Sequence, residues 1–187
     1  MTDQELLDLA ARCGFDHVGP MNVEVMRFEP AVRDMCAADR CRSYGRCWTC
    51  PPGCGTLEEI SARAAAYRRG VLLQSTGQME DDFDVEAMMD TERLQKERFR
   101  AFVDRVREEY PNCLPMSSGA CSVCPACTYP DAPCRFPHLA IPSMEAYGLL
   151  VSDVCLRSGL KYNYGPGTIS FTSCILFEKE REQNAEP

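Results

Sequence analysis

Nine cysteines fall in two short stretches, and no other feature restricts this chain so strongly. The first runs Cys36-x4-Cys41-x5-Cys47-x2-Cys50-x3-Cys54, the second Cys121-x2-Cys124-x2-Cys127-x6-Cys134. Both are crowded with turn formers: Gly45, Pro51, Pro52, Gly53 and Gly55 in one, Pro125, Pro130, Pro133 and Pro137 in or just after the other. Proline and glycine at this density exclude regular helix and central strand. The thiols therefore sit on loops that something other than backbone ladders must tie down: disulfides, a structural metal or a redox cofactor.

The rest of the chain discriminates among these. The N-terminal "MTDQELLDLAARCGFDHVG" carries acids early and has no continuous apolar run, so it does not read as a signal peptide. No stretch approaches a membrane span. A cytoplasmic protein is expected, whose thiols stay reduced, and clustered cysteines then point to metal rather than disulfides. The total of 13 cysteines, an odd number, agrees. At 45% hydrophobic and 26% charged residues the chain reads as globular. Its 187 residues suit one domain spanning 1–187, with metal loops at about 36–55 and 121–137. A net charge of −8 argues against nucleic acid as partner, since phosphate binding wants a basic face.

Helices and strands alternate around these loops. Thr2 and Glu5 form a capping box for a helix over 2–13, and Thr56 with Glu59 opens another, expected to end at Gly70. The longest helical pattern covers 84–110, with Val85, Met88, Met89, Phe99, Phe102, Val103, Val106 and Tyr110 as its apolar stripe. Glu92 and Lys96 interrupt that stripe, which predicts exposed middle turns. A further helix is expected over 143–159. Extended segments are expected at 17–26 and 71–78. In "TISFTSCILFE" Ile169, Phe171, Ile175 and Phe177 point one way and Thr172, Cys174 and Leu176 the other. The fold class is therefore α/β: a layered sheet of about four strands with flanking helices and two cysteine-rich metal-binding loops.

In the second stretch, three cysteines at intervals of three let a short loop wrap its thiolates around one face of a cubane. Ferredoxin-type [4Fe–4S] binding uses that run, completed by a more distant cysteine, here Cys134. Zinc would use paired C-x2-C knuckles, so the triple run favours iron–sulfur over zinc, which stays the alternative. In two-cluster ferredoxins the fourth cysteine serves the other cluster, an option open to Cys134 also. The five thiols of the first stretch exceed any four-ligand site, and metal type is not legible there. His17 and His138 are the only histidines and read as structural. Cys13, Cys113 and Cys155 read as small buried apolar residues; Cys174 reads as core with a cluster-facing alternative.

Taken together, "Cys36-x4-Cys41-x2-Tyr44-Gly45-x2-Trp48-x-Cys50-Pro51-Pro52", "CSVCPACTYPDAPCRFP" and "PSMEAYGLLV" resemble the predicted metal-binding proteins of domain-of-unknown-function family 2284. The resemblance covers roughly residues 30–180. It implies cytoplasmic proteins of anaerobic bacteria and archaea with inferred iron–sulfur binding. By it Cys36, Cys41 and Cys50 carry over as ligands of a first site, and Cys121, Cys124, Cys127 and Cys134 of a second. Cys47, Cys54 and Cys174 are additions to the family pattern.

Three functions remain open on this reading. With four ligands at the first site the chain holds two closed [4Fe–4S] clusters, which suit electron transfer or reductive activation of an anaerobic enzyme and imply a redox partner protein. Tyr44 and Trp48 would then wall the cofactor from water. With only Cys36, Cys41 and Cys50 bound, one iron stays open, and a desulfurase- or reductase-like enzyme acting on a small molecule is implied. A structural zinc protein is the third. No G-x-G-x-x-G and no P-loop lysine adds a nucleotide site, and oligomeric state is not written in the sequence.

Overall fold

A computed structural model describes residues 1–178. Thr2 caps α1 (Asp3–Arg12) through the expected box with Glu5, and the chain turns at once into β1 (His17–Met21). A short 3-10 turn, Val23–Val25, leads to α2 (Pro30–Ala37). After the first cysteine loop come α3 (Leu57–Ala64), with its Thr56–Glu59 box, and β2 (Tyr67–Gln78). The long α4 (Val85–Glu109) precedes β3 (Leu114–Met116). The second cysteine loop is followed by a 3-10 turn at Glu145–Tyr147, α5 (Val151–Arg157) and β4 (Thr168–Glu178).

The four strands form one antiparallel sheet in the order β1-β2-β4-β3. β2 and β4 are its centre, paired from Tyr67 with Glu178 to Gln78 with Thr168. Apolar side chains leave both faces of these two strands because both faces are covered. Val71, Leu73, Ile175 and Phe177 meet α1 and α4 through Leu6, Phe99, Phe102 and Val106. Leu72, Cys174 and Leu176 meet Ile60, Met144, Leu149, Val154 and Cys155 on the other side. The alternation expected for the last strand is therefore present, and Cys174 is fully buried core beside Cys155.

Three local expectations are corrected. The helix begun at Thr56 ends at Ala64, and Gly70 belongs to β2, paired with both Met21 and Leu176. A Cβ there would lie 2.8 Å from a Leu176 methyl, so sheet packing rather than helix termination accounts for the glycine. The segment 143–159 is not one helix, because Gly148 at φ +82° breaks it into a 3-10 turn and α5. On α4, Val85 and Met89 are exposed, whereas Thr91 and Gln95 are buried where the stripe was expected to open outwards. Thr91 donates to its own helix at Ala87 O (2.6 Å), and the Gln95 amide nitrogen donates to Leu73 O (2.9 Å) and Ser173 (3.0 Å), so the donors of both side chains are satisfied inside. No described helix is long and apolar enough to cross a membrane.

Candidate metal centre

The two cysteine loops meet one another, and α2, the 145–147 turn and the middle of α4 provide their anchors. The Arg33 guanidinium on α2 donates to Ala146 O (2.6 Å) and Gly55 O (2.8 Å) and lies 3.6 Å from the Cys54 sulfur. The thiols of Cys36 and Cys54 point at consecutive carbonyls, Glu145 O at 3.8 Å and Ala146 O at 3.5 Å. The loop between them turns on Asp39. Its carboxylate accepts from Tyr44 N (3.0 Å) and pairs with Arg46 (3.4 Å), while its carbonyl accepts from Arg42 N (3.0 Å). Cys50 N–H bonds Cys47 O and Cys54 N–H bonds Cys50 O, both at 3.1 Å, so three cysteines follow one another around tight turns.

The second loop is held at its start by Lys96, which donates to Ala120 O (2.7 Å) while paired with Glu92. Within it, Arg135 donates to Ala126 O and Thr128 to Pro133 O, each at 2.8 Å. The two loops then lock together. Trp48 Nε1–H donates to Ala132 O (3.1 Å), and its ring meets Tyr129 edge-on at 4.9 Å. Gly53 fits beneath the same tyrosine: a Cβ there would lie 2.8 Å from Cys47 O and 2.9 Å from the Tyr129 ring. A Gly53→Ala substitution is therefore expected to push the loops apart at a cost of about 1–3 kcal/mol of docking. Metal content after dialysis against a chelator checks this, with unchanged far-ultraviolet circular dichroism showing that the sheet is untouched.

A cavity of about 240 Å³ lies between the loops, and Cys47, Cys121, Cys124, Cys127 and Cys134 are on its wall with Trp48, Arg42, Arg46 and Arg135. Cys47 is buried and touches thiols of both stretches, Cys121 and Cys50, with the Thr49 hydroxyl 3.3 Å from its sulfur. Hydrogen bonds from Cys121, then Cys50, then Thr49 hold the Cys47 thiol far below its ordinary pKa. The same contacts with Cys47 raise Cys50 and Cys121. Burial raises Cys36, with the Glu145 carboxylate adding to it, and burial raises Cys54 against the opposing pull of Arg33.

The sequence-selected residues thus fall into two neighbourhoods. Cys36, Cys41, Cys50 and Cys54 do not line the cavity; Cys36 is near both Cys41 and Cys54, and Cys50, in contact with Cys47, is also near Cys41. Trp48 is on the cavity wall and Tyr44 is not. His17 stacks on Tyr164 at 3.6 Å and the His138 carbonyl accepts from Arg107, so both histidines serve the framework. Sequence reasoning missed Arg33, Asp39 and Thr49. An Asp between two loop cysteines was the available signal for a turn-building carboxylate; Arg33 carried none.

Among the described residues no three Cys, His, Asp or Glu side chains converge tightly enough to grip a single ion. Tetrahedral zinc holds each sulfur about 2.3 Å away, which brings the sulfurs within about 4 Å of one another. An iron–sulfur cubane spreads its thiolates over the corners of a larger body. Five thiols distributed around 240 Å³ fit that larger group. No curated protein and no solved structure matches the chain. The family model described as "Predicted metal-binding protein (DUF2284)" matches residues 20–177, which takes in both loops and all four strands but for the last residue of β4 and the start of β1. The chain belongs to this family of predicted metal-binding proteins.

Proposed function

We propose that this chain is a cytoplasmic iron–sulfur protein of anaerobic metabolism. It holds two [4Fe–4S] clusters and passes single electrons to or from a partner protein, as an electron carrier or in the reductive activation of an enzyme. The observation that carries this reading is the meeting of thiols from both stretches across the 47–54 and 121–136 interface, around a cavity larger than one ion needs. When bound, such clusters supply one-electron chemistry, with the potential set by burial, charge and hydrogen bonds. The residues of the chain contribute the rest: Arg42, Arg46 and Arg135 set positive charge beside the thiolates, and Trp48 limits water access. Cys54 lies beside Cys36 against the 145–146 carbonyls. That favours a four-thiol first site over one that leaves an iron open for catalysis.

Anaerobic purification and metal analysis test the reading. Two clusters give a brown protein with broad absorption near 400 nm and about eight irons per chain; a colourless protein with stoichiometric zinc overturns it. Trp48 is the only tryptophan and stands on the cavity wall. Loading with clusters, whose absorption overlaps indole emission, is expected to quench most of the fluorescence, whereas zinc leaves it largely intact. Emission recorded before and after anaerobic reconstitution checks this.

A further inference from the structure

The nine loop thiols do not divide as the sequence divides them. We propose that Cys47 is a ligand of the second site, with Cys121, Cys124 and the loop after them, and that Cys36, Cys41, Cys50 and Cys54 form the first. The Cys47-Trp48-Thr49-Cys50 segment then hands one thiol to each site. This rests on the iron–sulfur reading for the identity of the metal, but not for the division of the ligands.

Three observations carry it. Cys47 is on the cavity wall with the four downstream thiols and in contact with Cys121, while Cys36, Cys41, Cys50 and Cys54 are absent from that wall. Cys36 and Cys54 are brought side by side by the Glu145 and Ala146 carbonyls, with Arg33 fastening Cys54 and Ala146 together. Trp48, next to Cys47, is bonded into the second loop at Ala132 and Tyr129, so this end of the segment belongs structurally to the downstream loop. At the other end Cys50 N–H turns back on Cys47 O, and its thiol, in contact with that of Cys47, is off the cavity wall and also near Cys41. Ligand exchange between neighbouring sites has a precedent in two-cluster ferredoxins, where the last cysteine of a run ligates the other cluster. Here the crossing residue comes from the upstream stretch.

The division has an arithmetic consequence. With Cys47 added, the second site has five thiols for four corners, so one of Cys127 and Cys134 is dispensable. The first site has four thiols for four corners and no spare.

Iron counting and electron paramagnetic resonance on anaerobically reconstituted full-length protein decide it. C47S and C121S are expected each to reduce iron from about eight to about four per chain, leaving the same residual spectrum. The C47S/C121S double variant is expected to stay at about four. C54S and C36S remove the complementary signal, and C47S/C54S is left with almost none. The proposal is overturned if C47S removes the same signal as C54S, or if C47S/C121S loses nearly all iron. It is equally overturned if C47S keeps full iron while each of the four downstream variants loses half. Should the serine variants fail to fold, C47D and C121D retain a ligating atom, and both must alter the same signal. If the wild-type protein takes up zinc instead of iron, the iron–sulfur reading fails. The pairing of variants by zinc count, two falling to one, still decides the division. A wild-type protein that binds no metal overturns both.

Discussion

Stripping metal from the purified protein is expected to release both cysteine loops while leaving the sheet standing. The loops, over 38–56 and 121–137, lie between α2 and α3 and between β3 and the 145–147 turn, and they carry almost none of the buried apolar core. Without metal they are held by the Trp48–Tyr129 contact, the Arg33 bonds and a few turn hydrogen bonds. Those terms are each on the order of 1 kcal/mol net, so local opening is cheap and the framework does not share in it. A group that binds only the closed loops stabilises them by about 2.7 kcal/mol at a hundredfold excess over its dissociation constant. Cleavage that proceeds through the open form then slows by roughly a hundredfold. Arg40, Arg42, Arg46 and Arg135 are exposed trypsin sites on these loops. Tryptic time courses read by mass spectrometry should therefore show early cuts at these arginines in metal-free protein and delayed cuts in loaded protein, with equal far-ultraviolet circular dichroism at the start. Equal cleavage rates would contradict the account, as would a metal-free protein without secondary structure.

That separation between framework and loops also explains what the sequence disclosed. The capping boxes at Thr2 and Thr56, the two-faced pattern of β4 and the loop character of the cysteine stretches beyond Cys36, which ends up on α2, are local properties, set by residues within a turn or two of one another. They were legible. The place of Cys47 on the cavity wall with the downstream thiols was not, because spacing is one-dimensional: Cys47-x2-Cys50 says nothing of Ala132 and Tyr129, whose folded positions hold the neighbouring Trp48. Gly70 was misread for a similar reason, since its constraint comes from Leu176, distant in sequence and adjacent in the sheet. On α4, polarity was taken as exposure, yet Gln95 is buried because Leu73 O and Ser173 lie within reach of its amide. In each case a long-range partner overrode a sound local rule.

Phe102→Ala is expected to produce the largest loss of stability in the chain. Phe102 is fully buried between α4 and the sheet and meets the edge of Phe15 with ring centroids 6.2 Å apart. Truncation removes the transfer energy of the ring, the edge-to-face contact and the packing around it, and close-packed neighbours cannot collapse into the space. Such changes cost about 3–5 kcal/mol, against total stabilities of about 5–15 kcal/mol for whole domains. For a chain of this size that corresponds to a fall in Tm of roughly 6–20 °C, measurable by thermal or denaturant unfolding. Phe102→Leu retains most of the volume and should lose far less. The cavity between the loops touches neither Phe102 nor its neighbours, so Phe102→Ala protein folded at low temperature should bind its full complement of metal. Gly53→Ala should behave in the opposite way, keeping its Tm in the metal-free state and failing to retain metal. If the two substitutions instead lowered stability and metal content in parallel, the loops and the sheet would be one cooperative unit. The order of events in loading would then have to be folding on metal rather than metal on a finished framework.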